Sequence, residues 1–507
     1  MPASSITTRF AISIFGNVLR GALSFVTTII IARTLGPEEY GNYAFLLGSF
    51  AAILHLVGLG TSGAFQTFIS EKTQGKKFIL SYLLWQFTQF LFVLLIIGVV
   101  LPENWVIKIW LNQERDLVLL AFAAIFLQQQ AWRTFIHIGE ASRLSYKVQA
   151  LNLAIVCVHF LLVIVSLVMQ WLSVQLIFYF ILVEYLIFMF VAHRVQLISF
   201  SEEKSFDGRS VLSDYMQYCY PLIIGAILSF GYLFADRWML QSFGGAKEQG
   251  LYEIGYRMGA AAMLVTAALL NIFYKEIAEA KENRNWQLMQ ILYRKVSRLL
   301  FTISAIIAGF LIPWSPKIIQ LILGKSYDQG APVLVTMLCF SVFNSVAQVN
   351  SSMLLATSKT KAHLVLGSVL MIANFPIAYF LLAPKNMVIP GVEMGSLGLA
   401  LKMVLHIVFH VNLLSWWIAR DNKWKFDWFY QLVALGGAIA LGFISFESSM
   451  FLSGFLSLNL FVVGILALFL YVALSGIMLF SMPWLIGFSR EEINSKFQII
   501  KLSWAQR

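Results

Sequence analysis

The chain has 507 residues, of which 59% are hydrophobic and only 12% charged, and its mean hydropathy is +0.78. A soluble domain is nearer a quarter charged, so the composition excludes an ordinary soluble protein and predicts an all-α polytopic membrane protein. The formal net charge of +11 does not read as a nucleic-acid footprint, because the cations sort with membrane topology instead.

The N-terminus, MPASSITTRF, does not read as a signal peptide. The apolar run after it is too long and carries Arg20 in its middle, so it is expected to stay as the first span. About fourteen apolar segments are long enough to cross a bilayer. They lie near 10–34, 42–63, 78–101, 116–137, 149–169, 172–192, 214–242, 251–274, 297–323, 331–356, 363–383, 392–419, 428–447 and 452–482. With the N-terminus inside, cations on inside segments outnumber those on outside segments by about three to one, a bias that predicts both ends in the cytoplasm. The inside set includes Lys72, Lys77, Lys204, Arg284 and Lys423, with Lys496, Lys501 and Arg507 in the tail; the outside set includes Lys108, Lys247 and Lys385.

Span 1 carries Ser13, Asn17, Arg20, Ser24 and Thr27 at spacings of three and four, a polar stripe on an apolar helix. A charge at that depth is costly, so a central arginine calls for water or an anion beside it; a polar packing seam is the structural alternative. The span ends in ARTLGPEEYGNY, Ala32 to Tyr43. Gly36 is the left-handed residue that closes a helix, and Pro37 sits where the next helix needs no amide donor. Glu38 and Glu39 then put negative charge at that helix's positive end, so the stretch predicts a membrane hairpin tip.

Farther along, His55 in span 2 reads as a satisfied buried histidine. Gln128, Gln129, Gln130 and Arg133 in span 4, with Asn344 and Gln348 in span 10, read as interhelical glue. His159 in span 5 and Glu184 in span 6 could titrate during transport or pair with each other. About 209 residues after the first tip, Phe243 to Tyr252 reads FGGAKEQGLY, again with a glycine break, an acidic turn, a second glycine and an aromatic. IKIWLNQERDLVLL at Ile107 is echoed by IIQLILGKSYDQGAPVLV at Ile318. Such long spacing predicts a duplicated half-transporter: a six-helix lobe over 1–212, a second over 213–420, and two further helices with a tail over 421–507.

Span 7 carries Asp236 and Arg237, and span 8 opens with Glu253, Tyr256 and Arg257. Local pairing, Asp236 with Arg257 or Glu253 with Arg237, competes here with a role in transport. Span 12 presents Lys402, His406 and His410 at spacing four; without an acidic or cysteine ligand beside them they predict a wet wall rather than a metal site. Cys157, Cys219 and Cys339 are scattered and form no CxxC, so no disulfide framework or zinc site is expected. No Walker loop, GxSxG or HExxH occurs, and the aromatic residues call for no cofactor.

Arg20, then ARTLGPEEYG, then Asp236 followed by SFGGAKEQGLYEIGYR, together with LILGKSYDQGAPVL, resembles the Wzx-type polysaccharide flippases of the multidrug/oligosaccharidyl-lipid/polysaccharide (MOP) exporter superfamily. The resemblance runs over roughly residues 10 to 420. It implies a MATE-like fold of two six-helix lobes, alternating access, and a polyprenyl-pyrophosphate-linked oligosaccharide carried to the outer leaflet of the cell's inner membrane for surface polysaccharide such as O-antigen. A polymerase or other assembly proteins would be its partners. The two extra C-terminal spans depart from a twelve-helix scheme. For an anionic pyrophosphate, Arg20, Arg237, Arg257 and Lys402 are the candidate cations, with Asn17 beside them. Asp236, Glu184, His159 and His406 are candidates for coupling. Two other classes compete: a cation or drug antiporter of the same fold, which wants an acidic cavity, and a membrane oligosaccharide polymerase or ligase, which wants a sizeable outside loop.

Overall fold

The computed structural model describes residues 6–71, 75–195, 197, 207–261, 267–488, 490 and 492. Lys72, Lys204, Lys496, Lys501 and Arg507, and the part of the eighth predicted span at 262–266, lie outside them, as does the side chain of Ser13. The described chain is helical. Helices α1 to α8 are Ile6–Gly58, Thr61–Glu71, Lys76–Leu95, Glu103–Ile109, Arg115–Phe126, Trp132–Ala141, Ser145–Val168 and Val174–Arg194. Helices α9 to α17 are Gly208–Cys219, Ile223–Ala261, Ala267–Glu282, Trp286–Leu323, Ala331–Ala356, Thr360–Leu382, Gly395–Asp421, Phe429–Leu456 and Leu460–Ser481.

Eleven helical stretches among the described residues are long and apolar enough to cross a membrane. Some exceed one crossing. Helix α1 has 53 residues, about 80 Å at 1.5 Å per residue, against a hydrocarbon core of about 30 Å. It is two helices joined at Gly36, whose φ of 75° and ψ of 170° only glycine adopts readily. The same device recurs in α10 at Gly245 (φ 86°, ψ 173°) and after α12 at Gly324 (φ 91°, ψ 175°). The fourth echo turns through two left-handed residues, Leu111 and Asn112. The repeat seen in the letters is therefore also a repeat of backbone conformation. Three of the four tips turn at a single glycine and are sharper than a loop would make them.

By contacts the chain divides into two compact units. Unit 1 comprises residues 1–253 and 371–396. Within it α1 packs on α5, α7 and α8, around an aromatic core in which Phe50 stacks on Trp110 and meets Phe122, and Phe90 meets Phe122 and Phe126. Its two glycine tips lie against each other. A Cβ on Gly41 would run into the carbonyl of Ala246, and one on Gly250 into the carbonyl of Pro37. That reciprocity is what a two-fold relation between the echoes produces. Glu248 accepts the Ser396 amide at 2.6 Å and so caps the start of α15.

Unit 2 comprises residues 254–370 and 397–507. Helix α12 is its axis, carrying α11, α13 and α16. The α12–α16 crossing has no room for side chains: a Cβ on Gly309 would sit 2.5 Å from the Ala438 carbonyl, and one on Gly442 would meet the Gly309 carbonyl. Tyr471 of α17 locks the crossing by donating to Ile306 O at 2.8 Å. Small residues that let backbones touch are a main source of helix association in lipid. Gly309→Leu is accordingly expected to destabilise unit 2 by about 1–3 kcal/mol through overpacking. The purified protein should melt earlier, while Gly436→Leu, at a glycine with open space around it, should leave the melting temperature unchanged.

Candidate functional site

Three groups of predicted residues can be built up from their helices. The first lies in unit 1. On α1, Asn17 and Ser24 are exposed and Arg20 is half-buried. Thr27 departs from the expected stripe: it is buried and returns its hydroxyl to Leu23 O at 2.8 Å. Because α1 packs on α7 and α8, Arg20 comes within electrostatic reach of Tyr185. Tyr185 also interacts with its neighbour Glu184 and hydrogen-bonds the side chain of Gln128. Glu184 is 3% exposed and is met by His159 Nδ1 at 3.0 and 3.1 Å from its two oxygens. Arg20, Gln128, His159, Glu184 and Tyr185 thus form one polar cluster on four elements, with Glu184 buried and the other four half-buried. Tyr185 was not singled out in the sequence; its position beside an intramembrane glutamate is the signal that was there to use.

The imidazole offers Glu184 a hydrogen bond or, when protonated, a counter-charge. Removing it leaves the buried Glu184 carboxyl without the partner that meets both its oxygens, and breaking a buried pair costs about 3–5 kcal/mol. His159→Ala is therefore expected to lower stability markedly, and the double variant with Glu184→Gln to recover most of it. A double-mutant cycle on thermal stability in detergent checks this; additive losses would show that the two groups do not act as a pair.

The second group is also in unit 1. Arg237 Nη1 donates to Glu253 Oε2 at 2.9 Å and to Ala44 O at 3.3 Å. Its side chain lies against Gly48, where any Cβ would collide with it. Asp236 beside it is buried. The pairing of Arg237 with Glu253 is the structural alternative weighed in the sequence, and it offsets much of that arginine's charge. Gly48 is the enabling residue, signalled only as a glycine inside a span.

The third group is in unit 2. Lys402 on α15 is fully buried, and the rings of His406 and His410 stack with centroids 5.6 Å apart. Lys402 lies within electrostatic range of His406. Arg257 is half-buried in the same unit. No group of three or more His, Cys, Asp or Glu side chains that could hold a metal occurs among the described residues. The cationic candidates are therefore divided between the units, Arg20 and Arg237 in one, Arg257 and Lys402 in the other.

This fold and its intramembrane polar groups have solved counterparts. The structure is similar to the lipid II flippase MurJ in an inward closed conformation, with a TM-score of 0.70 at 13% identity, covering 92% of this chain and 98% of that one. It is similar also to an inward-facing MATE-family multidrug resistance transporter of the MOP superfamily (TM-score 0.54, 12% identity, 83% and 97% covered). A MOP superfamily transporter from Pyrococcus furiosus Vc1 follows at 0.50 and 13% identity, with 82% and 94% covered. The fold is thus that of the MOP membrane transporters. Within that class, the chain belongs to the polysaccharide biosynthesis protein family, whose profile matches residues 6–271. The MatE family profile matches residues 221–380. None of the curated proteins compared with the chain matches it.

Proposed function

We propose that the protein is a flippase that moves polyprenyl-pyrophosphate-linked oligosaccharide from the inner to the outer leaflet of the cytoplasmic membrane by alternating access. The observation that carries this reading is the family match over residues 6–271, the half that holds Arg20 and its polar cluster. A lipid-linked pyrophosphate needs forked cationic donors in a low-dielectric setting, with the lipid tail left in the bilayer. Arg20 with Asn17 is the principal contact in unit 1, and Arg257 and Lys402 are the cationic candidates within unit 2. Arg237 contributes less, since Glu253 already holds it. His159 with Glu184, Asp236 and His406 are the groups that couple transport to an ion. The lobes run over 1–212 and 213–420, with 421–507 added. Polysaccharide polymerase and assembly proteins are the partners, and neither a cofactor nor nucleic acid takes part.

The deciding experiment reconstitutes the purified protein in vesicles with a polyprenyl-pyrophosphate oligosaccharide in one leaflet. Appearance of the glycan on the opposite side at unchanged length supports the flippase. A lengthened glycan would assign a polymerase or ligase. Proton-driven efflux of organic cations with no glycan movement would assign an antiporter, the reading that the match to the MatE family favours.

The topology that goes with this function has fourteen spans and both ends in the cytoplasm. Reporter fusions at Lys247 and Lys385 are expected to read outside, and fusions at Arg284 and Lys423 inside. A reversed reading at Arg284 would break the assignment.

A further inference from the structure

Unit 1 contains a polar cavity that the cluster around Arg20 does not use. Its volume is about 120 Å³, and it is lined by His55 and Gly58 of α1, Gly60 and Ser62 at the turn into α2, and Gln129, Gln130 and Arg133. One water needs about 10–15 Å³ by the same kind of measure, so a small anion fits. No carboxylate is among its lining residues. Arg133 and His55 are exposed although they sit in predicted spans, the position of side chains that face water inside a membrane protein.

The cavity is built rather than accidental. Between α5 and α6, residues Leu127–Ala131 form a π turn, a helix defect found often at functional sites. The extra residue rotates the glutamines apart. Gln128 reaches Tyr185, while Gln129 and Gln130 face the cavity. A buried network holds the defect in place. Gln86 Nε2 donates to Gln130 O at 3.4 Å, and Thr134 Oγ1 donates to Gln86 Oε1 at 3.1 Å. Gln89 Nε2 fixes the end of α1 through Val57 O at 2.9 Å. Leu59 and Gly60, both left-handed, then fold the chain into α2, and Gly60 lines the cavity. By the predicted topology, spans 2 and 4 both run inward here, so the cavity lies toward the cytoplasmic end.

We propose that this cavity is an oxyanion subsite in which Arg133, with His55, Ser62 and Gln129 around it, takes a phosphate or a sugar carboxylate of the translocated substrate on the cytoplasmic side. The inference rests on the flippase reading for the identity of the substrate, and on the cavity alone for its chemistry. Arginine supplies the forked donor pair that a two-oxygen acceptor matches, and the amide and hydroxyl groups complete the set. The bulge then stands between two stations for one molecule, with Gln129 and Gln130 at the entry cavity and Gln128 at the cluster of Arg20.

Arginine modification by phenylglyoxal, mapped by mass spectrometry on the full chain in detergent, tests this directly. Inorganic phosphate and glucuronate are the two probes, and exposed Arg143 is the internal control. At ten times its Kd, a probe is expected to slow modification of Arg133 roughly tenfold and to leave Arg143 unchanged. Protection by phosphate alone assigns the carrier's pyrophosphate, protection by glucuronate alone an acidic sugar, and protection by both a shared oxyanion site. His55→Ala should weaken the protection while leaving Arg133 in place to report it. No protection by either probe, or equal protection of Arg143, overturns the proposal. Translocation measured on the same preparation separates the two readings: transport without protection removes the subsite alone, and protection without transport removes the flippase alone.

Discussion

Arg20→Ala is expected to abolish export of the surface polysaccharide while leaving the amount of protein in the membrane unchanged. The residue is half-buried on α1, within electrostatic reach of Tyr185, whose other partners are Gln128 and Glu184. Its charge is thus placed at the edge of a polar cluster with one face toward the exposed side of the helix, where Asn17 and Ser24 also lie. A pyrophosphate bound there would exchange its water for a guanidinium fork, an exchange that a neutral side chain cannot provide. Arg20→Lys should restore only part of the activity, because a point charge replaces the fork. Two measurements decide the matter together: polysaccharide at the cell surface and the level of folded protein in the membrane. Full export by Arg20→Ala would remove the residue from the mechanism. Loss of the protein itself would make Arg20 a packing residue of the α1–α7–α8 seam.

Gly41→Leu and Gly250→Leu are each expected to stop transport by a different route, through the two glycine tips. These glycines let the two turns meet, Gly41 against Ala246 O and Gly250 against Pro37 O. A leucine at either position must push backbone from backbone, since no flexible side chain is there to yield. Overpacking of about 1–3 kcal/mol would shift the balance away from the closed tips by about 5- to 150-fold. If transport requires the tips to close and part in turn, either substitution removes one half of the cycle. A cysteine pair at Glu39 and Lys247, in a chain whose Cys157, Cys219 and Cys339 have been replaced, reports closure, because a disulfide needs Cα atoms within about 7 Å. Its yield should fall sharply in the Gly41→Leu background. In the parent, locking the pair should stop transport and reduction should restore it. Cross-linking that goes to completion with transport unaffected would show that these tips do not move.

Much of this was legible in the letters. Composition alone made the chain a membrane protein, because a backbone in lipid must satisfy its own hydrogen bonds and therefore becomes helices. Gly36, Pro37 and the distant echo at Gly245 announced sharp tips, since a left-handed residue is a local demand that only glycine meets cheaply. An arginine in the middle of an apolar run declared itself by its cost. Each of these signals is set by a residue and its immediate neighbours.

Other features depended on which helix lies against which, and no local pattern holds that information. His159 and Glu184 are 25 residues apart, and only the packing of α7 on α8 makes them a pair. Arg237 was open between transport and pairing until Glu253 and the bare backbone at Gly48 closed around it. Thr27 fell on the polar stripe by spacing but faces inward, because α1 buries that side. The run Gln128–Gln129–Gln130 read as glue, and the π turn that divides it between the cluster of Tyr185 and a polar cavity is held by Gln86, which reaches Gln130 O from α3, 44 residues away. The sequence by itself determined the medium, the helices, their tips and the presence of buried charge. The tertiary structure decided which of those charges are paired, as Arg237 is with Glu253 and His159 with Glu184, because pairing is a property of side chains brought together from distant parts of the chain.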